Sequence, residues 1–233
     1  IVPQGQSALV IGIGAGILPS WFERQGVATE AVDIDSEVVK LARDYFGFDF
    51  KGPVHIEDAR YFLNRSDKRY DYLLLDVFSG DITPGSLLSR EAVALFHDHV
   101  SEQGVLAINL VGSLRRDPLM TASVVETLRS RFEQVELYPT FDPAEGDGSG
   151  NIVVIAYDGG PRTVDWQAIK PGNINSFARL GVAQNLGRRY QFPEGTEALV
   201  LSDDYNPIDF YDSWLRESVR RDILTSTRLE MLF

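Results

Sequence analysis

Short apolar runs alternate with segments of helical periodicity along the first two thirds of the chain. The runs are rich in Val, Ile, Leu and Ala, which is typical of strands buried on both faces of a parallel sheet. They predict strands at residues 7–12, 28–33, 54–57, 72–77, 105–110, 135–141 and 152–157. The segments between them predict helices at residues 17–25, 36–46, 59–64, 89–100 and 119–132. Ser36 is the predicted N-cap of the second helix.

The order of these elements predicts a doubly wound α/β domain, because strands that alternate with helices pair in parallel. The last two strands are joined by the loop DPAEGDGSG alone, so they are expected to pair antiparallel. A seven-stranded, mostly parallel sheet with such a C-terminal hairpin resembles the Rossmann-like fold of class I S-adenosylmethionine-dependent methyltransferases. Periodicity weakens after residue 158. We therefore expect a cofactor-binding domain over residues 1–158 and an extension over 159–233 that packs on it, with a last helix at 208–224.

The segment LVIGIGAGIL contains Gly12, Gly14 and Gly16 directly after the first predicted strand. Glycines let the backbone approach a ligand closely, and the following helix points its positive end at that ligand. The pattern therefore predicts a nucleotide-binding turn. Ile17 occupies the position at which a dinucleotide-binding turn has its third glycine, which argues against NAD. No Gly-Lys-Ser/Thr sequence follows, so the turn is not a P-loop.

Two carboxylates follow the turn at the spacing that an adenosine-binding site needs. Asp33 ends the second strand, 21 positions beyond Gly12, where such folds bind the ribose hydroxyls. Asp58 follows the third strand, where a carboxylate accepts a hydrogen bond from the adenine amino group and Ala59 offers its backbone N–H. Asp35 is interpreted as a second candidate or as a charge at a helix N-terminus. Asp58 also fits an N-cap, and its two roles are compatible.

Asp76 ends the fourth predicted strand and precedes the loop VFSGDITPGS. Ligands of open α/β sheets bind in the crevice at the carboxyl ends of the strands, so we expect Asp76 in that crevice. A carboxylate there neutralises, orients or deprotonates an amine. The alternative is a structural role, as a helix cap or as a brace for the loop.

Four segments of the chain resemble the spermidine synthase family. They are LVIGIGAGIL, AVDIDSEVVKLARDYFGF, EDARYFLNRSDKRYDYLLLD and LLSREAVALF. The resemblance covers residues 7–157 and is strongest over residues 28–96. The segments DVFSGD and SDDYNPID match the spermidine synthase-like branch of the family, which includes soluble halves of membrane-fused proteins.

The resemblance implies aminopropyl transfer from decarboxylated S-adenosylmethionine to a small-molecule amine. By resemblance, Asp33 holds the ribose, Asp58 holds the adenine and Asp76 is the catalytic base. The reaction is an in-line displacement at the carbon next to the sulfonium, for which the protein positions the amine and excludes water.

Four further polar residues are expected to bind the amine substrate. Ser79 stands where the family has the second aspartate of its active-site loop, and Asp81 lies nearby. Asp203 and Asp204 of SDDYNPID are interpreted as another acidic wall of the site or, alternatively, as a cluster at a helix start.

The glycine turn departs from the family pattern Gly-Gly-Gly-Asp-Gly-Gly. Ile13, Ala15 and Ile17 replace two glycines and the aspartate, and that aspartate is expected to contact the amine of the aminopropyl tail. The sequence therefore also allows a methyltransferase that uses intact S-adenosylmethionine, or a non-catalytic nucleotide-binding domain of a larger protein. The N-terminal β-hairpin domain of the family is not in the sequence. Because the first residue is Ile1 rather than Met, we interpret the chain as a fragment.

Net charge and composition limit the classes of partner that the chain is expected to bind, but say little about the reaction. The formal net charge of −12, from 22 basic and 34 acidic residues, disfavours nucleic acid and suits a cationic ligand. The chain has no cysteine, which excludes disulfides and fits a reducing cytoplasm. No run of about 18 apolar residues occurs, so no membrane segment is predicted. The three histidines lack the spacing of metal ligands, so no metal is predicted, and a homodimer stays open.

Overall fold

Seven strands form one sheet in the computed structural model, which describes residues 4–78, 83–146, 148–163 and 189–208. The strands of these residues are β1 Ser7–Ile11, β2 Ala28–Asp33, β3 Val54–Ile56, β4 Tyr70–Leu75, β5 Val100–Ser113, β6 Gln134–Pro139 and β7 Ser149–Tyr157. Their helices are α1 Ile17–Arg24, α2 Ser36–Phe46, α3 Ala59–Asn64, α4 Arg90–His99 and α5 Leu119–Arg129, and a 3-10 turn spans Gly85–Leu87. The strand order is β3-β2-β1-β4-β5-β7-β6.

The sheet is parallel from β3 through β5, whereas β7 pairs antiparallel with both β5 and β6. This arrangement confirms the predicted α/β fold and its antiparallel C-terminal hairpin. Within the described part of the chain, we find no helix with the length and apolar character needed to cross a membrane.

Alternation along β1 divides the core between the two faces of the sheet. Leu9 and Ile11 pack with residues of α3, α4 and α5 in the larger cluster. Ala8 and Val10 pack on the other face, against Phe22 of α1. Because the four β1 side chains are all buried, β1 lies at the centre of the hydrophobic core.

Most strands differ in length or position from the sequence-based prediction, β4 and β5 among them. β4 ends at Leu75 rather than at residue 77, so Asp76 is the first residue after the strand. β5 extends well beyond the predicted 105–110, because its pairing with β7 continues to Ser113. The longer β5 brings its second half into contact with β7 as well as β4.

The predicted N-cap of α2 is wrong by one residue. Asp35 is the N-cap, because its backbone is extended and its carboxylate accepts a hydrogen bond from the backbone N–H of Glu37 at 2.8 Å. Ser36 lies inside the helix. A carboxylate in this position also interacts favourably with the helix dipole.

Backbone hydrogen bonds hold the carboxyl ends of the three central strands together at one edge of the sheet. The N–H of Gly12 donates to the carbonyl of Val32 at 2.8 Å, and the N–H of Asp76 donates to the carbonyl of Ile11 at 2.9 Å. The residues that follow β1 and β4 therefore lie beside the end of β2, where Asp33 is the last residue.

Gly12 lies so close to β4 that no side chain fits there. A Cβ atom at this position would overlap the backbone carbonyl of Asp76, and the φ of Gly12 is +88°. Gly14 also has a positive φ, +51°, but no atom lies within 4 Å of the place of its missing Cβ. Close packing therefore requires glycine at position 12, whereas only backbone conformation favours it at position 14.

The second described stretch of the extension, residues 189–208, packs along α5. Leu201 is fully buried, and its N–H donates to Oγ1 of Thr127 at 2.9 Å. Its carbonyl accepts a hydrogen bond from the N–H of Arg90 at 2.8 Å. The division into two units at residue 158 stays a prediction, and all of the helix predicted at 208–224 except its first residue lies outside the described residues.

An ion pair joins this segment to α3. The two Nη atoms of Arg60 donate to the two carboxylate oxygens of Asp203 at 2.9 and 2.6 Å. The hydroxyl of Ser89 donates to the same carboxylate at 2.6 Å. These bonds lower the pKa of Asp203 from its ordinary value of 3.8, with the Arg60 hydrogen bond as the largest cause.

Replacing Gly12 with alanine should destabilise the protein far more than the same change at Gly14. We expect G12A to lower the free energy of unfolding by about 2–5 kcal/mol, from backbone strain and from overlap with β4. G14A should cost about 1–2 kcal/mol, from backbone strain alone. Urea unfolding of both variants measures the difference, and equal losses would contradict the close approach of Gly12 to Asp76.

Asp203→Asn should lower stability in a pH-dependent way. Because the folded-state pKa of Asp203 is depressed, its contribution is present above the unfolded value and is lost as the pH falls through the folded value. We expect a loss of about 0.5–1 kcal/mol at pH 7, since the pair is partly exposed and screened by solvent. Unfolding at pH 7 and at a pH below the depressed folded-state pKa of Asp203 should show the difference from wild type disappear at the lower pH. Asp204→Asn is the matched control, with an expected change within about 0.5 kcal/mol at both values.

Candidate active site

Asp33 ties the glycine turn to the end of β2. Its Oδ2 accepts a hydrogen bond from the N–H of Ile13 at 2.8 Å, and its Oδ1 accepts one from the N–H of Asp35 at 3.0 Å. Asp33 is partly buried, so its carboxylate is held in one orientation at the crevice. Two backbone donors on one carboxylate also satisfy the charged form without a cation.

The three departures from the family's glycine pattern have different surroundings. Ile13 is buried and packs against Ala31, Val39 and Phe48, so its side chain belongs to the core between the sheet and α2. Ala15 is partly exposed, and Ile17 at the start of α1 is 69% exposed. Only Ala15 and Ile17 therefore change the accessible surface of the turn.

Asp58 is the N-cap of α3. Its Oδ1 accepts a hydrogen bond from the N–H of Tyr61 at 2.9 Å. The simpler of the two predicted roles of Asp58 is therefore present, and its contact with adenine stays a prediction. Ala59 is the first residue of the helix, so its N–H has no partner one turn earlier. Ile34, which follows Asp33, is 71% exposed and offers an apolar surface at the same edge.

Asp76 lies directly after β4 and is partly buried. Its Oδ1 accepts a hydrogen bond from Nδ2 of Asn109 on β5 at 2.9 Å. The Oδ1 of Asn109 in turn accepts one from Nδ2 of Asn151 on β7 at 3.0 Å. We did not predict either asparagine, although Asn109 interrupts the apolar run VLAINLVG, a signal that could have identified it.

Thr83, which follows Asp76 in the sequence, is bound to β5. Thr83 is buried, and its hydroxyl donates to the backbone carbonyl of Asn109 at 3.3 Å. Ser79 and Asp81, two predicted substrate contacts, lie outside the described residues. Their role stays a prediction.

The two acidic residues predicted near the end of the chain differ in their surroundings. Asp203 is bound by Arg60, whose pKa is raised chiefly by the same hydrogen bond, so each charge compensates the other. Asp204 is exposed. The pair joins α3, which begins next to Asp58, to residues 201–208. A direct contact of Asp203 or Asp204 with an amine stays a prediction.

Each histidine has hydrogen-bond or ion-pair partners of its own. His55 contacts Glu30 at 3.0 Å, and His97 contacts Asp158 at 2.9 Å. Over residues 4–78, 83–146, 148–163 and 189–208, no three His, Asp or Glu side chains come together as a metal site.

Comparison with known proteins gives two kinds of relative. No family model matches the chain. It is 37% identical over 156 residues to an N-terminal histidine N-methyltransferase of Emericella nidulans, a match that covers 64% of this chain and 28% of that protein. It is 32% identical over 161 residues to a polyamine aminopropyltransferase of Vibrio vulnificus, covering 66% of this chain and 51% of that protein. The chain thus spans about half or less of the length of these relatives.

Solved structures share the fold. A probable spermidine synthase of Corynebacterium glutamicum superposes with a TM-score of 0.61 at 20% identity, over 72% of this chain and 61% of that chain. Human methyltransferase-like protein 13, in complex with SAH, superposes with a TM-score of 0.57 at 18% identity, over 84% of this chain and 88% of that chain. The motifs, the aminopropyltransferase relatives and this fold agree, so the chain is similar to the spermidine synthase-like family.

Proposed function

We propose that this chain is a transferase that binds decarboxylated S-adenosylmethionine at the carboxyl edge of the sheet and transfers its aminopropyl group to an amine. Asp76 is the proposed base. The observation that carries the proposal is the position of Asp76, whose backbone lies against Gly12 and whose carboxylate is held by Asn109. Similarity to the aminopropyltransferase of Vibrio vulnificus supports it.

Asp33 has the acceptor capacity that a ribose needs. Each carboxylate oxygen has two lone pairs and uses one for a backbone N–H, that of Ile13 or that of Asp35. The second lone pair of each oxygen suits the 2′- and 3′-hydroxyls. The two N–H bonds hold the carboxylate in place before the ligand arrives, which reduces the entropy cost of binding.

Adenine fits the surface formed by Ile34, Asp58 and Ala59. The exposed Ile34 side chain offers a flat base an apolar contact, worth about 25 cal/mol for each Å² removed from water. The carboxylate of Asp58 can accept from the adenine amino group while it caps α3, because it has lone pairs beyond the one used for Tyr61. The N–H of Ala59, which has no partner within α3, can donate to a ring nitrogen.

The proposed reaction needs positioning and one proton acceptor. The amine nitrogen attacks the carbon next to the sulfonium, a C–N bond forms, and the C–S bond breaks with its electron pair on sulfur. Methylthioadenosine leaves as a neutral thioether, and Asp76 takes the proton that the nitrogen gives up. A positioned amine and a sulfonium leaving group make the displacement effectively intramolecular.

Methyl transfer from intact S-adenosylmethionine is the second candidate. Two observations favour it: the 37% identity to an N-methyltransferase, and Ala15 in the place of the family's aspartate. An aspartate at position 15 would repel the carboxylate of the intact methionine tail, whereas alanine does not. An amine nitrogen attacks a carbon on the sulfonium in both reactions, so the proposed role of Asp76 is the same.

Asp76→Asn should abolish most turnover without loss of cofactor binding. We expect the rate of methylthioadenosine release, from decarboxylated cofactor with a di- or polyamine, to fall about 100-fold or more, because the base is lost. Affinity for methylthioadenosine, measured by calorimetry, should change less than about 3-fold, since Asp76 is not assigned to the adenosyl group.

Asp44→Asn, an exposed change on α2, is the matched control and should retain wild-type turnover. Tight nucleotide binding with no turnover in the wild type, with either cofactor and any amine, would contradict the proposal and favour a non-catalytic domain.

Ala15→Asp should separate the two cofactors. The added carboxylate should weaken binding of S-adenosylhomocysteine, which carries a tail carboxylate, by about tenfold or more. Methylthioadenosine lacks that tail, so its affinity should stay within about 3-fold of wild type. Calorimetry with both ligands measures the effect. An equal loss for both ligands would indicate a damaged turn, and no loss for either would place the tail elsewhere.

A further inference from the structure

A chain of side-chain hydrogen bonds crosses three strands and ends on Asp76. Nδ2 of Asn151 donates to Oδ1 of Asn109 at 3.0 Å, and Nδ2 of Asn109 donates to Oδ1 of Asp76 at 2.9 Å. Asn151 lies on β7 and is exposed, Asn109 lies on β5 and is partly buried, and Asp76 follows β4. The chain therefore runs from solvent to the proposed base.

The strand register brings the two asparagines together. Asn109 pairs with Val153, and Asn151 pairs with Val111, so the asparagines are diagonal neighbours on adjacent antiparallel strands. Diagonal neighbours lie within reach of side chains of this length. The residues on either side of Asn109, Ile108 and Leu110, are buried in the core on the opposite face of the sheet.

The bond from Asn151 determines which way the Asn109 amide faces. Because Oδ1 of Asn109 accepts from Asn151, its NH₂ group is the one directed at Asp76. An NH₂ group only donates, so Oδ1 of Asp76 must accept. This hydrogen bond occupies one acceptor site of Oδ1 and holds the carboxylate in one orientation.

We infer that Asn109 and Asn151 are positioning residues for Asp76, which keep its Oδ1 occupied as an acceptor and leave Oδ2 as the oxygen that takes the proton of the substrate amine. This inference rests on the proposed function of Asp76. Asn109 acts directly on the carboxylate, whereas Asn151 acts through Asn109 by fixing its amide orientation.

Asn109 also binds Thr83, but through its backbone carbonyl rather than its side chain. The Thr83 hydroxyl donates to the carbonyl oxygen of Asn109, a bond that a side-chain substitution leaves in place. Variants of the Asn109 side chain therefore change the contact with Asp76 and keep the hydrogen bond from Thr83. Asparagine is also unfavourable within strands, so alanine at position 109 or 151 has little reason to disturb the fold.

The test compares N109A, N151A and the double variant in steady-state turnover. We expect kcat to fall about 10- to 100-fold in N109A and about 3- to 10-fold in N151A, with the KM for the cofactor nearly unchanged. A fall in kcat with an unchanged KM would place the loss in the chemical step rather than in cofactor binding. In the double variant kcat should equal that of N109A, because Asn151 acts only through Asn109.

Asn64→Ala removes an exposed asparagine on α3 and is the matched control, with wild-type kcat expected. If the fold-losses in kcat of the two single variants multiply in the double variant, the indirect role of Asn151 is overturned. An unchanged kcat in N109A would overturn the role of Asn109.

A second readout does not need turnover. In protein labelled with ¹⁵N at asparagine, the side-chain amide signals of Asn109 should move in D76N and in N151A, and should not move in N64A. If the Asn109 side-chain amide signals do not move in D76N, the hydrogen bond between Asn109 and Asp76 is overturned. If these signals respond but the wild type turns over no cofactor with any amine, the proposed reaction fails, and with it the role of Oδ2.

Discussion

The contact between Gly12 and the backbone of Asp76 determines the geometry of the whole crevice. No Cβ fits between them, so the turn after β1 lies directly on the end of β4. The same turn is held to β2, since Gly12 donates to Val32 and Ile13 donates to Asp33. The proposed sites for the nucleoside and for its reaction partner therefore lie at the same edge of the sheet.

This constraint explains how the glycine turn tolerates its unusual residues. Ile13 fills the core beside Phe48, so a bulky residue there stabilises α2 instead of narrowing the crevice. Ala15 and Ile17 are accessible and alter only the region where the cofactor's tail would lie. The proposed adenosyl contacts and the proposed tail contacts of the turn can therefore vary independently, in keeping with similar proteins that include both aminopropyltransferases and a methyltransferase.

Features that depend on local sequence were predicted well, and features that depend on distant pairing were not. Periodicity and spacing correctly predicted the element order, the antiparallel hairpin and the position of Asp33 at the end of β2. The hydrogen bond from Asn109 to Asp76 could not be predicted, because it requires the register of β4 with β5, and that from Asn151 requires the register of β5 with β7. The bond between Arg60 and Asp203 joins residues 143 positions apart.

Compensation of charge distinguishes the carboxylates of the site. Arg60 neutralises Asp203, so that carboxylate has less to gain from a cationic ligand. Asp76 is held by a neutral amide, and in the described part of the chain no lysine or arginine forms an ion pair with it. An amine that approaches Asp76 therefore meets a negative charge that is oriented but not neutralised. Removing such an amine from water is costly unless a charge of this kind is present, which makes Asp76 better suited than Asp203 to receive it.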